Sequence, residues 1–157
     1  MGFINYFLAG LISFSGLILG IILISIAPEE QKPGKKYFIL MQNILFVLII
    51  FFFLFYLQVN LFIFLAVIIL TTYFLRIKTK NNFIRSFLIY FALGVVFFLS
   101  SVNLNLFLIE SVLIFLSGMP TSSLLFDNKK KNYFRVVFSN IVFLVTALFL
   151  FLIFYFI

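Results

Sequence analysis

Apolar residues in this chain come in near-continuous runs separated by short polar stretches, without the strict alternation of a half-buried strand. The runs fall at about residues 3–27, 37–57, 60–77, 83–101, 104–118 and 133–157. Most approach the ~20 apolar residues that a helix needs to cross a ~30 Å hydrocarbon core. Ala27-Pro28 closes the first run, and Pro33-Gly34 gives a turn signal in the polar stretch that follows. Gln58-Val59-Asn60 leaves room only for a tight turn, and Ser100 to Asn105 makes a second short one. In hydrocarbon every backbone N–H and C=O must be paired internally, which leaves helices or closed barrels, and unbroken runs favour helices. The pattern predicts an all-α, polytopic integral membrane protein: one domain over 1–157, six transmembrane helices arranged as three hairpins.

Charge adds direction to this architecture. All eleven Lys and Arg residues sit in three loops, 28–36, 76–85 and 119–135. Basic residues in short loops stay on the cytoplasmic side, so these loops are expected inside and both termini outside, in a multi-pass protein of the cell membrane. Lys35, Lys36, Arg76, Arg85, Lys130 and Arg135 lie near span ends, where each meets anionic lipid headgroups at about 1 kcal/mol. That placement, rather than nucleic acid, accounts for the formal charge of +7. A cleaved signal peptide over the first run is disfavoured because it has no basic n-region and Pro28 would follow the cut. Tyr6 in place of Ser or Thr excludes the N-myristoylation pattern.

Composition agrees with lipid as the solvent. The chain is 66% hydrophobic, against roughly 45–50% in soluble domains, and contains 27 Phe but no Cys, His or Trp. Without His or Cys there is neither a His- or Cys-dependent nucleophile nor a His/Cys metal site, and the acids are too few to hold catalytic Mg²⁺. No enzyme, cofactor or metal is therefore expected; a membrane-embedded lipid enzyme ranks a distant third among the functions.

Glu110 is the sharpest candidate for chemistry, since Glu29, Glu30 and Asp127 lie in loops. A carboxylate in mid-membrane costs several kcal/mol unless protonated or paired, so a neutral, hydrogen-bonded Glu110 is expected. Its functional reading is a proton or cation site; its structural reading is a bridge between helices. The fifth span is expected to stop near residue 118, broken by Pro120, with Ser117, Thr121, Ser122 and Ser123 beside the break. Gln42, Asn43 and Asn140 form an amide set that either lines a polar path or ties helices together. Ala9, Ser13, Gly16 and Gly20 make a small-residue stripe on the first span, a packing face expected to serve an internal contact.

Residues 27–44 and 119–141 share an order of Pro, polar loop, Lys, Tyr-Phe and Asn-Ile; this reads either as a parallel repeat or as chance in a narrow residue vocabulary. Two functions remain. The first is a non-catalytic membrane subunit or interaction protein, with membrane lipids, other membrane subunits or a second copy as partners. The second is a small transporter or channel using Glu110 and the interrupted fifth span. Convergence of Glu110, Ser117, Gln42, Asn43 and Asn140 on one cavity favours transport, and their scatter favours the subunit.

Overall fold

A computed structural model describes residues 2–76, 82–127 and 132–156, and among these the chain is helical with no strand. Helix α1 spans Phe3–Ile26 and α2 spans Gln31–Tyr56, joined by a 3₁₀ turn over Pro28–Glu30. Helix α3 covers Leu61–Arg76, α4 Asn82–Ser100 and α5 Leu104–Leu125, while α6 (Tyr133–Asn140) and α7 (Val142–Phe156) complete the chain. Five segments are long and apolar enough to cross a membrane: α1, α2 with its 3₁₀ turn, α4, α5, and α6–α7 together. The α3 helix is shorter, and its apolar part is Leu61–Tyr73. An all-helical bundle with five helices of membrane-spanning length and apolarity is the class this defines, and it is compatible with a multi-pass membrane protein.

Proline chemistry separates α1 from α2. The residue before a proline is pushed out of the α region, and Ala27 adopts φ −121°, ψ 67°. The expected loop through Lys36 is shorter than its residues suggest, because α2 is already helical at Gln31. Pro33 occupies the third helical position, where no intrahelical donor is required, so the proline does not delay the helix.

The tight turn after α2 is a complete Schellman motif. Val59 N–H donates to Leu54 O (3.4 Å) and Gln58 N–H to Phe55 O (3.1 Å), with Gln58 at φ 51°. Asn60 then caps α3 through Phe62 N–H (3.1 Å), and Asn103 caps α5 through Asn105 and Leu106 N–H (3.0 and 3.3 Å). Helix α3 folds back along α2: the Phe51 and Phe64 rings meet edge to face at 5.4 Å.

Two further expected boundaries are corrected. The fifth helix does not stop at residue 118 but continues to Leu125 with Pro120 inside it. Its 22 residues give ~33 Å at 1.5 Å per residue. Hydroxyls reinforce the turns around the proline: Ser117 Oγ donates to Ile114 O (2.8 Å), Thr121 Oγ1 to Ser117 O (2.8 Å), and Ser122 and Ser123 Oγ to Met119 O (both 2.9 Å). The last span, expected as one helix over 133–157, is interrupted at Ile141. Asn140 Nδ2 (2.8 Å) and Ser139 Oγ (3.1 Å) both donate to Val136 O, competing with the backbone ladder just before the break.

Helix α5 is the axis of the bundle and packs against α1, α2 and α4, while α4 also holds α6 and α7. Where α1 crosses α5 the two backbones touch. A Cβ placed on Gly16 would overlap Phe115 O, one on Gly20 would lie 2.6 Å from Met119 Cα, and one on Gly118 would lie 2.5 Å from Gly16 C. Ser13 Oγ adds a bond to Ser111 O (3.1 Å) at the same seam, and Ala9 is half-buried on it. At the α4–α7 seam Gly94 performs a similar service, with Phe143 O 2.8 Å from where its Cβ would be. Aromatic rings fill one end of the core: Tyr6 stands 5.1 Å from Phe97 and 4.3 Å from Phe151, and its hydroxyl donates to Ala147 O (3.0 Å).

Candidate functional site

The buried polar side chains gather along α4 and the second half of α5. Gln42 Nε2 on α2 donates to Thr121 Oγ1 on α5 (2.9 Å). Tyr90, buried on α4, directs its hydroxyl at Ser117 and Thr121 without meeting hydrogen-bond geometry. One turn back on α4, Ser86 Oγ donates to Asn140 Oδ1 of α6 (2.5 Å). Beside it Arg85 Nη2 donates to Asn43 Oδ1 of α2 (2.8 Å). The amides Asn43 and Asn140 thus bond consecutive α4 residues and hold α2 and α6 on either side of it. The repeat-like segments therefore share a partner helix, although Pro28 ends a helix and Pro120 does not.

Glu110 stands apart from this belt. It is 0% exposed, and neither carboxyl oxygen has a hydrogen-bond partner among the described residues. Seven residues separate it from Ser117, ~10 Å along α5. Helical periodicity puts it on the face that carries Phe107, Ile114 and Ser117, all buried. Gln42, Ser117 and Thr121 are brought together, Asn43 and Asn140 are tied into α4, Pro120 is buried in α5, and Glu110 is two turns away. The hydrogen-bonded bridge expected for Glu110 is not formed among the described residues, and the turns on either side of it on its own face, Phe107 and Ile114, are apolar.

The basic residues are distributed as follows. Lys35 and Lys36 are exposed in the opening turns of α2. The Arg135 guanidinium lies over the Phe83 ring, 4.5 Å from its centroid, and joins α6 to α4. Lys78, Lys80, Lys129, Lys130, Lys131 and the Arg76 side chain lie outside the described residues. Sequence reasoning missed Ser86, Tyr90, Gly94 and Asn132. The spacing of four between Ser86 and Tyr90 is a readable signal of one helix face. Asn132 had none: it accepts from Asp127 N–H (2.7 Å) and donates to Leu125 O (3.1 Å), closing the loop between α5 and α6.

No protein-family model matches the chain, and comparison with curated proteins and with solved structures finds no significant similarity. A functional reading therefore rests on these residues and their geometry.

Proposed function

We propose that the chain is a non-catalytic subunit or interaction protein of the cell membrane, with six spans, its basic loops in the cytoplasm and both termini outside. The six-span count draws support from α3, an apolar helix that folds back along α2 after the Gln58 turn. The orientation draws support from the described basic residues Lys35, Lys36, Arg85 and Arg135, which lie toward the end where α2 begins. One observation supports the non-catalytic role above all: among the described residues Gln42, Ser86 and Asn140 are spent on bonds between helices, and the hydroxyls of α5 donate to their own backbone, instead of lining a shared path. Bonds such as Gln42–Thr121 and Ser86–Asn140 are the interhelical ties a bundle uses to fix its packing. Extraction from native membranes in mild detergent tests this reading. The chain is expected to migrate with partner chains or as a homo-oligomer, and a lone, stable monomer overturns it.

Glu110 supports a second reading, transport of a proton or cation, because a buried carboxyl without a partner is a ready binding group. Its test is flux in reconstituted vesicles. A pH- or cation-dependent flux abolished by Glu110→Gln supports it, and absence of flux, or flux unchanged by the substitution, removes it.

A further inference from the structure

A lateral groove of about 560 Å³ opens between α2, α3 and α4, lined by Phe46, Ile50, Leu70, Tyr73, Leu88 and Ala92. Thr71 also borders it, but its hydroxyl is committed to Val67 O (2.7 Å), so the channel offers apolar surface. Two walls rise from one polar pair. On α4, Arg85, Leu88 and Ala92 follow at spacings of three and four and share a face; on α2, Asn43, Phe46 and Ile50 do the same. The Arg85–Asn43 bond therefore lies one turn beyond Phe46 and Leu88, toward the end where α2 begins.

Arg85 is half-buried, its Nε has no acceptor, and no carboxylate pairs with it among the described residues. A cation set into an apolar helix without a counter-ion, at the head of an apolar slot, has the polarity of an amphiphile: anion at one end, hydrocarbon along the other. Guanidinium matches phosphate oxygens in a bidentate fork. We infer that this groove is a binding site for an anionic glycerophospholipid of the surrounding bilayer, its phosphate on Arg85 and one acyl chain along Phe46, Ile50, Leu88 and Ala92. The inference rests on the membrane residence proposed above and is independent of any partner chain.

The test uses the purified full chain, delipidated in detergent and offered equal amounts of dioleoyl phosphatidylglycerol and dioleoyl phosphatidylcholine, with retained lipid counted by native mass spectrometry. Both lipids carry a phosphodiester, but the choline cation of phosphatidylcholine offsets its charge and is repelled by Arg85, so phosphatidylglycerol is expected to bind about tenfold tighter. Arg85→Gln is expected to bring the two lipids level. Ala92→Phe, which fills the groove and leaves the charge, is expected to lower phosphatidylglycerol retention, and it serves if Arg85→Gln does not fold. Equal retention of both lipids by the unaltered chain overturns the site, as does displacement of phosphatidylglycerol by inorganic phosphate at equal concentration, or undiminished retention in Ala92→Phe. A chain that fractionates with membranes yet shows no lipid preference loses the site and keeps its membrane residence.

Discussion

Replacing Glu110 by Met removes two buried acceptors that no described donor satisfies and keeps a side chain of similar length. An unsatisfied buried polar group costs ~1–3 kcal/mol, so Glu110→Met is expected to stabilise the protein by about 1 kcal/mol or more, read as a raised unfolding midpoint in detergent. A stabilising substitution would mean that the carboxyl is retained for something other than folding; a destabilising one would reveal a structural role. Gln58 presents the same logic in the backbone. It holds φ 51° at the position where helices commonly place glycine, and Gln58→Gly is expected to stabilise the α2–α3 turn by about 1 kcal/mol. At this scale the sequence was a good guide to which residues matter and a poor guide to what they touch. A lone acid in an apolar run is conspicuous without a structure. Its failure to find a partner depends on which residues the neighbouring turns and helices bring to its face, and spacing along one strand of text does not encode that.

Among the elements, α1 supplies a paired test on a single helix. Gly10 has only ordinary van der Waals neighbours at its Cβ position, the nearest being Leu144 Cδ2 at 3.5 Å, whereas Gly16 meets the Phe115 backbone. Gly10→Ala is expected to be neutral or to gain up to about 1 kcal/mol in helix propensity. Gly16→Val, by contrast, must part α1 from α5 and is expected to cost more than about 3 kcal/mol or to abolish folding, as overpacking against backbone does. Equal effects at both glycines would contradict the described crossing. The Ser86–Asn140 tie is suited to a double-mutant cycle to Ala, in which a coupling near ~0.6 kcal/mol is expected, with ~1.7 as an upper range. Helix existence and most boundaries were legible because lipid-length apolar runs and the short polar stretches between them are local signals. Two of the misjudged boundaries, at Pro120 and at Ile141, share a cause. Pro120 reads as a breaker, but serine and threonine hydroxyls and a tightly packed α1 hold its helix together. Residues 133–157 read as continuous, but Asn140 and Ser139 redirect a backbone carbonyl, an effect that hydropathy does not register.

For the molecule as a whole, the absence of cysteine makes topology directly measurable, since any introduced thiol is the sole one. Val102, 91% exposed in the short turn between α4 and α5, and Glu30, exposed in the 3₁₀ turn, lie at opposite ends of the bundle. In intact cells an impermeant maleimide is expected to label Val102→Cys, and to label Glu30→Cys only after the membrane is opened. Labelling of both from outside, or the reverse order, defeats the proposed orientation. Charge placement and run length made the helical class readable from the sequence, whereas the arrangement of helices was not. The centrality of α5 comes from glycines and hydroxyls whose partners lie on other helices, and α3 reaches the bundle chiefly through α2.

The seam between α1 and α5 also sets a timetable for biogenesis. Its Ser13–Ser111 bond joins residues 98 positions apart, so the first helix leaves the ribosome long before its mate is made. At ~5–20 residues per second, that interval is roughly 5–20 s. Throughout it the glycine face of the nascent first helix stands open to lipid, to the insertion machinery or to a neighbouring chain, and the bundle closes only when the fifth helix arrives to claim it.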